Sequence, residues 1–414
     1  MSVKSALLIG LWTITHSLAA QAQDTLSLED TIALALGAQD PSVQASLVRG
    51  KAEREAAIAA GSLPEPKASV SVRNLPVDDF DFNREAMTQI HLGVRQQFPR
   101  GKSRQLMRDG RLIMADEHDA MAETQKRAIV RDVSIAWHQV RYSNMASTEL
   151  ENLISLLQEL RASQENDFAA AGKAALQKIY RTELEVALVQ DRLLSVAQNR
   201  DISIEALARY IGYDFANRII SPTPLHHPAL TSAEIDTSLD THPLVVAASA
   251  RNRQAANKVA LAEEAYKPSW GLELGYGARY GDRSDFASAM VTFDLPIWTG
   301  KRQDPALRAA KHETQAAEFG RESLKRDLAR KAHTFLADIR NIEKRIGEFE
   351  TTVLPQAENV VTATRNAYGA GEIDFAELIR AEIAYVDSRL RLEMLRRDLG
   401  TAHAALAFIT GDPS

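Results

Sequence analysis

The stretch GAGEIDFAELIRAEIAYVDSR, residues 369–389, has a counterpart 199 residues earlier in the chain, AAGKAALQKIYRTELEVALVQ at residues 170–190. A glycine, an arginine and a glutamate keep their places in both copies: Gly172, Arg181 and Glu183, then Gly371, Arg380 and Glu382. Similarity at a fixed offset indicates a duplicated unit. Glycine costs about 1 kcal/mol relative to alanine inside a helix, so each stretch predicts a turn between two helices at its glycine.

The duplication extends over most of the chain. DPSVQASLVRGKAEREAAIAAGSLPEPKASVSV, from Asp40, has the pattern of HPLVVAASARNRQAANKVALAEEAYKPSWGLEL, from His242. Two prolines stand 25 positions apart in each: Pro41 and Pro66, then Pro243 and Pro268. We therefore predict two structural repeats, at residues 23–220 and 221–414.

Residues 1–22 have the layout of a cleavable secretory signal peptide. Lys4 precedes an apolar stretch from Ala6 to about Ile14, and Ala20-Gln21-Ala22 offers a cleavage site. The chain has no cysteine, which excludes disulfides, a thiol nucleophile, cysteine-ligated metal and a lipid-anchor acceptor. The formal net charge of −6 argues against a nucleic-acid partner. We expect an exported protein.

Each repeat begins with a helix and continues with a β-hairpin. A capping box at Ser27 and Asp30 predicts a helix from Leu28 to about Ser62, and its counterpart is predicted from about Pro243 to Tyr266. The apolar period then changes from 3.6 to 2, which indicates strands. The hairpins are predicted at about 67–98 and about 269–296.

Long helices follow each hairpin, at about 103–212 and about 304–411, with Asp304 predicted as an N-cap before Pro305. An uninterrupted run of about 65 residues is on the order of 100 Å long. Apolar residues in the second repeat step by four and three, which predicts coiled coils: Phe335, Ile339, Ile342, Ile346, Phe349 and Val353, then Leu392, Leu395, Leu399, Ala402, Leu406 and Ile409. The glycine turns would join these helices into hairpins.

Four short strands cannot close a barrel, and open strand edges are not tolerated within a membrane. A dimer would close at eight strands with a filled interior, whereas three chains supply twelve and a roomy lumen. The predicted fold class is mainly α with a small β part: long coiled-coil helical hairpins plus two β-hairpins per chain, in a trimeric α-barrel and a 12-stranded β-barrel.

The duplicated order of elements, with LPQAENVV at 354–361, AYGAGEIDFAELIRAE at 367–382 and FITG at 408–411, resembles the TolC-type outer-membrane efflux channels. The resemblance implies a homotrimer in the outer membrane with a periplasmic helical extension. It also implies a passive exit duct of a tripartite pump, with a periplasmic adaptor protein and an inner-membrane transporter as partners.

Residues 63–101, LPEPKASVSVRNLPVDDFDFNREAMTQIHLGVRQQFPRG, further resemble the branch of this family that accompanies heavy-metal resistance. That resemblance implies a transporter of the resistance, nodulation and division type and heavy-metal cations as cargo. Some members of the branch are lipidated, and this chain departs from them because it lacks the required cysteine.

The turn at Gly371 carries the candidate aperture. Side chains from six hairpin turns would converge in a trimer, where carboxylates form a ring facing the pore. The second copy contributes Glu372, Asp374 and Glu377, whereas Lys173 of the first copy stands at the position of Glu372. Opposite charges would close the aperture, and the acidic excess would favour cations. A solvated turn with incidental charges is the alternative interpretation.

The resemblance adds two expectations about this turn. It implies that the adaptor docks here, and it places Tyr368 at the constriction. The family's basic partner position is occupied by Ile373, so the closing contact of the family is not reproduced as such.

Polar residues of the strands form a second candidate group. They alternate with apolar neighbours and are expected to face the barrel lumen, where they would contact passing solute weakly: Arg73, His91, Arg95, Glu273 and Asp294. His226-His227 lies in the connector SPTPLHHPAL, where adjacent side chains point apart, so no metal site is predicted.

No set of nucleophile, base and orienting residue is present, so we expect no enzyme, catalytic residue or cofactor, and an exported hydrolase is disfavoured. A periplasmic coiled-coil adaptor or scaffold protein that is not inserted in the membrane remains the alternative function.

Overall fold

The computed structural model describes residues 25–171, 173–220 and 232–411, with side chains described throughout except at 164–175, 219 and 232. The predicted signal peptide at 1–22, the turn residue Gly172 and the pair His226-His227 lie outside the described residues. Within them, none of the helices combines the length and the apolarity needed to cross a membrane.

The described elements are mostly helices, which confirms the predicted fold class of mainly α with a small β part. In chain order they are β1 Thr25–Leu26, α1 Leu28–Gly37, α2 Pro41–Gly61, β2 Lys67–Arg73, β3 Gln89–Phe98, α3 Ser103–Ala171, α4 Lys173–Ile211, α5 Tyr213–Ala216 and β4 Ile219–Ile220. They continue with α6 Ser232–Ser238, α7 Pro243–Glu264, β5 Ser269–Arg279, β6 Phe286–Asp294, α8 Gln303–Glu348, α9 Leu354–Gly369 and α10 Phe375–Thr410.

The chain divides into two compact units, and segments of both predicted repeats contribute to each of them. The first unit comprises Met1–Asp40, Arg127–Leu230 and His333–Ser414, and the second comprises Pro41–Lys126 and Thr231–Ala332. Each repeat therefore contributes to both units, because the long helices continue from one unit into the other.

The start of the first repeat follows the predicted capping box but not the predicted helix length. Ser27 Oγ accepts a hydrogen bond from the Asp30 N–H at 3.1 Å and donates to the Asp30 carboxylate at 2.6 Å. The single helix predicted from Leu28 to about Ser62 is wrong: α1 ends at Gly37, and α2 begins at Pro41. Proline disfavours a helical residue before it but suits a first helical position, so the chain breaks at this point.

Two local predictions for the second repeat are corrected. α8 begins at Gln303, so Asp304 lies in its first turn and is not the N-cap; it accepts a hydrogen bond from the Tyr266 hydroxyl at 2.7 Å. A π-helical turn, Phe349–Val353, precedes α9, whose second residue is Pro355. Proline lacks an N–H and crowds the carbonyl four residues earlier, and the wider turn accommodates both effects.

One buried hydrophobic cluster of the first unit lies between α3, α4 and α10. Its members are Ala146, Leu150, Leu153 and Leu157 of α3, Val189 of α4, and Phe375, Ile379, Val386 and Leu390 of α10. Several residues of the predicted apolar seams are also buried: Ile339, Leu392, Leu395, Ala402, Leu406 and Ile409. The helical spacing of apolar residues therefore marks packed faces.

The second unit contains one four-stranded antiparallel sheet with the order β2-β3-β5-β6. β3 pairs with β5, which joins the hairpin of the first repeat to that of the second. Among the described residues, β2 and β6 pair on one side only and form the edges of this sheet. In the first unit, β1 and β4 form a separate two-stranded parallel sheet.

Candidate functional site

The turn at residues 370–374, between α9 and α10, is built around Gly371. Its φ angle is 75°, in the left-handed region that glycine adopts without a steric penalty. The Gly371 N–H donates to the Tyr368 carbonyl at 3.0 Å, and the Glu372 N–H donates to the Ala367 carbonyl at 2.9 Å. These two bonds form a Schellman motif, which satisfies the last carbonyls of α9. The glycine is therefore required by the backbone of the turn.

Asp374 begins α10 and reaches the first hairpin. Its backbone is extended, with φ −79° and ψ 150°, and its side chain makes no capping bond. A carboxylate oxygen lies 3.6 Å from the Lys178 Nζ of α4, and both side chains are exposed. This ion pair connects the turn of the second hairpin to the second helix of the first hairpin.

The other two predicted acids differ in their surroundings. Glu377 forms an ion pair with Arg380 at 2.9 Å, one turn further along α10. Glu372 is exposed, and in the described part of the chain it forms no ion pair. Two of the three carboxylates thus have a cationic partner within the same chain, which leaves the turn closer to neutral than its acids alone suggest.

Tyr368 anchors the turn to the core of the first unit. Its ring meets Phe375 edge to face, with centroids 5.8 Å apart, and it packs against the buried cluster that contains Ile379. Such aromatic pairs add to the free energy gained by burial. Lys173 is the first residue of α4, but its side chain lies outside the described residues.

A buried carboxylate near the turn was missed by the sequence analysis. Glu382 is only 2% exposed and accepts two hydrogen bonds from Arg365, at 2.5 Å from Nε and 2.8 Å from Nη2. The pair joins α10 to α9, and the hydrogen bond with Glu382 raises the pKa of Arg365. Bidentate pairs of this kind are among the strongest polar contacts.

The repeat itself offered a signal for this pair. Glu382 occupies the position of Glu183 in the first copy, and Glu183 lies 3.5 Å from Arg161 of α3. Each hairpin therefore contains a glutamate that pairs with an arginine on the other helix.

A second missed group surrounds the π-helical turn. Arg396 of α10 donates to Glu350 in that turn and to Glu393, both at 2.6 Å, and Glu393 lies 3.8 Å from Arg141 of α3. Burial lowers the pKa of Arg141. These charged side chains fix the π-helical turn against α10.

The sheet places all five predicted lumen residues on one face. Arg95 lies directly opposite Glu273, and His91 opposite Gly277, in the β3–β5 ladder; Arg73 and Asp294 have the same parity on the outer strands. His91 is buried because its ring lies across Gly275, where a Cβ would come within 2.3 Å of Nε2.

The opposite face of the sheet is apolar and exposed. Its large side chains are Val70, Val72, Leu92, Val94, Trp270, Leu274, Tyr276, Val291 and Phe293, and Val70 is 74% exposed. Within the described residues, no group of three or more His, Asp or Glu side chains is placed to hold a metal ion. As far as the chain is described, the sheet therefore has one polar face and one exposed apolar face.

Residues 235–412 match a protein-family model described as "Outer membrane efflux protein". No curated protein sequence gave a significant match.

Several solved structures share the fold. The outer membrane protein VceC from Vibrio cholerae is 18% identical, with 93% of this chain and 96% of that chain covered and a TM-score of 0.78. The Campylobacter jejuni CmeC outer membrane channel is 11% identical, with 98% and 94% covered and a TM-score of 0.79. The open state of the Neisseria gonorrhoeae MtrE outer membrane channel is 17% identical, with 93% and 89% covered and a TM-score of 0.74.

Proposed function

We propose that this chain is a TolC-type outer membrane efflux protein and the passive, non-enzymatic exit channel of a tripartite efflux pump; the family match of residues 235–412 and the shared fold support this. The observation that carries the proposal is the sheet of the second unit. It has one polar face, one exposed apolar face and two edges that are open in the described chain.

The apolar face fits a lipid environment. A water-soluble antiparallel sheet normally buries its apolar face on a core, and large exposed apolar patches mark interaction or membrane surfaces. In outer-membrane barrels the strands alternate between apolar residues that face lipid and polar residues that face the lumen. The alternation in β2, β3, β5 and β6 largely follows that pattern; the exceptions are Gln96 on the apolar face and Phe286 and Met290 on the polar face.

The open edges favour assembly into a trimer. Unpaired strand edges are not tolerated in lipid, so β2 of one chain is proposed to pair with β6 of the next. Three chains with four strands each supply a 12-stranded barrel, and the repeats at 23–220 and 221–414 would each supply one hairpin and one helical hairpin. The long coiled helices are proposed to continue the duct into the periplasm.

The turn at 370–374 is proposed as part of the periplasmic aperture and adaptor contact. Tyr368, Gly371, Glu372, Asp374 and Glu377 would contribute from the second copy, and Lys173 from the first. The contact between Asp374 and Lys178 supports this role because it ties the two hairpins together at one end of their helices. Breaking such contacts would let the turns separate.

The partners proposed are a periplasmic adaptor and an inner-membrane transporter of the resistance, nodulation and division type. Heavy-metal cations are the cargo suggested by residues 63–101. Both proposals rest on the resemblance of those residues to the heavy-metal branch. Growth of a deletion strain on copper, zinc, cobalt and organic toxicants, with the cloned gene as complementation control, tests the cargo.

Membrane fractionation tests the channel itself. The expected result is an outer-membrane protein that runs as a heat-sensitive oligomer in detergent and conducts ions in planar bilayers. Replacement of Val70 and Val291 by Asp, on the apolar face, should prevent membrane insertion, whereas Ser71→Asp on the polar face should not. A soluble periplasmic protein without conductance would instead support an adaptor or scaffold.

A further inference from the structure

The polar face of the four-stranded sheet carries more positive than negative charge. By register, its basic residues are Lys67, Arg73, Arg95 and Arg279, and its acidic residues are Glu273 and Asp294. Counted over Lys, Arg, Asp and Glu alone, the face has an excess of two positive charges in each chain. Three copies around one lumen would triple that excess.

Arg95 occupies the centre of this surface, on the inner strand β3. It lies directly opposite Lys67 of β2, and like charges in that relation are destabilising. Its guanidinium does not lie against Glu273 on the other side; Nη2 donates to the Thr292 hydroxyl at 3.1 Å, with Nε beside Gly271. In the described chain, none of Lys67, Arg73 and Arg95 has a carboxylate within ion-pair distance.

Arg279 and Asp294, two other charged residues of the face, are held by local contacts. Arg279 donates to the carbonyls of Ser284 and Ala86, and its guanidinium lies 4.0 Å from the centre of the Phe286 ring. Asp294 accepts a hydrogen bond from the Ser269 hydroxyl. These contacts fix Arg279 and Asp294 in place without removing their charges, and Glu273 keeps a negative charge opposite Arg95. Lys67, Arg73 and Arg95 are therefore the basic side chains of the face that no carboxylate pairs in the described chain.

We propose that this basic face makes the outer-membrane part of the channel prefer anions in passive conduction of small ions, with Arg95 and Arg73 as the specificity-determining residues. This preference does not define the pumped cargo, which the partner transporter would select, and it would oppose passive leakage of the heavy-metal cations proposed above. The inference rests on the proposed function, because it requires the polar face to line a lumen. Charge of one sign on a low-dielectric wall produces potentials of several kT and concentrates counter-ions. The acidic residues of the turn at 370–374 and of the start of α10 would favour cations instead. Their effect is smaller than the sequence suggests, because Asp374 pairs with Lys178 and Glu377 pairs with Arg380.

The test is the ratio of chloride to potassium permeability, PCl/PK, of the purified full-length protein in planar bilayers. Reversal potentials are measured in KCl gradients, first near 0.01 M, where the Debye length is about 30 Å, and then near 1 M, where it is about 3 Å. The wild-type ratio should exceed one at low salt and approach one at high salt. Each measurement is repeated in the Asp374→Asn background, in which the proposed aperture should be wider. The permeability ratio then reports the charge of the sheet rather than that of the aperture.

The decisive variant is Arg73→Gln with Arg95→Gln. A loss of one kT of potential lowers the local concentration of a monovalent anion about threefold, so PCl/PK should fall by at least about that factor at low salt. Arg95→Lys keeps the charge and should keep the ratio. Glu273→Gln removes a negative charge from the same face and should raise it. Arg49→Gln with Lys51→Gln removes two exposed charges of α2 and should change the ratio little.

The outcomes separate this inference from the proposed function. A heat-sensitive oligomer that conducts ions, but whose PCl/PK is below one and does not change in the double variant, would overturn the anion preference and leave the channel intact. An equal change in the Arg49 and Lys51 control would assign the effect to net charge and would also overturn it. A folded oligomer without conductance in any background would refute the channel, and the inference with it.

Discussion

The strongest prediction concerns the contact between Arg365 and Glu382, which joins α9 to α10 beside the candidate aperture. Replacing Arg365 by Met keeps the aliphatic part of the side chain and removes both hydrogen bonds to a carboxylate that is 2% exposed. We expect α9 to separate from α10 more often in this variant, because Glu382 would lose its charged partner.

The magnitude follows from the exposure of the two side chains. An exposed ion pair contributes at most about 1 kcal/mol, whereas removal of one partner of a buried pair costs about 3–5 kcal/mol. Glu382 is buried, but the Arg365 side chain is 54% exposed, so its loss is partly compensated by solvent. The expected cost is about 2 kcal/mol, which corresponds to a factor of about thirty in a local opening equilibrium.

Native-state hydrogen exchange of the detergent-solubilised oligomer measures this opening directly. Amides of α9 and of the first turns of α10 should exchange about thirtyfold faster in Arg365→Met. Arg192→Met is the matched control, because it removes an ion pair with Asp387 in which both side chains are exposed. Its effect on nearby amides should be below about fivefold.

A second variant tests the assigned cause. Glu382→Leu in the Arg365→Met background removes the buried charge as well, and an apolar replacement of a buried pair is often neutral. Exchange should then return most of the way to the wild-type rate. Equal exchange in Arg365→Met and Arg192→Met, or no recovery in the double variant, would refute the reasoning.

Three further predictions follow from the same structure. Asp374→Asn removes the contact with Lys178 and should raise single-channel conductance; Lys178→Gln should do the same, and no change in either would argue against an aperture contact. Gly371→Ala should lower stability by about 1 kcal/mol because of its positive φ, whereas Gly369→Ala, in α9 with open space around its Cβ position, should not lower it; thermal dissociation of the oligomer distinguishes them. Hydrogen bonds from the Lys267 side chain and the Lys102 N–H lower the pKa of Glu264 below its ordinary value of 4.5. The stabilisation by ionised Glu264 is therefore present above pH 4.5 and is lost as the pH falls through the lowered pKa. Glu264→Gln should flatten the acid side of the plot of oligomer stability against pH, and an unchanged acid side would contradict the assignment.

The local backbone signals were readable because neighbouring residues supply them. Ser27 and Asp30 form their capping box within one helical turn. Gly371 adopts the left-handed conformation that the turn between α9 and α10 requires. The alternation in β2, β3, β5 and β6 likewise put Arg73, His91, Arg95, Glu273 and Asp294 on one face. Each of these features depends on residues a few positions apart, so it can be recognised in a single sequence.

The ends of the helices were harder to predict from the sequence, because several local tendencies compete at each end. Pro41 was read within one helix although it begins a new one, and Pro355 gave no indication that the turn before it would widen. At each proline, the lost N–H hydrogen bond disfavours the helix while packing of the apolar face favours it. The sequence pattern does not show which of the two effects is larger.

The mainly helical fold with two amphipathic β-hairpins could be predicted from the sequence alone, because the apolar periods indicate which face of each element is buried or apolar. The duplication of the chain stays a prediction. The pairing of charged side chains, in contrast, became visible in the three-dimensional structure. Glu382 pairs with Arg365, and Asp374 pairs with Lys178. Arg95 donates a hydrogen bond to Thr292 although Glu273 lies opposite it in the sheet. These contacts depend on the register, meaning the relative positions of helices and strands along their axes, which the sequence does not display. A shift of one residue in that register would move each side chain to another face, and no local pattern encodes it.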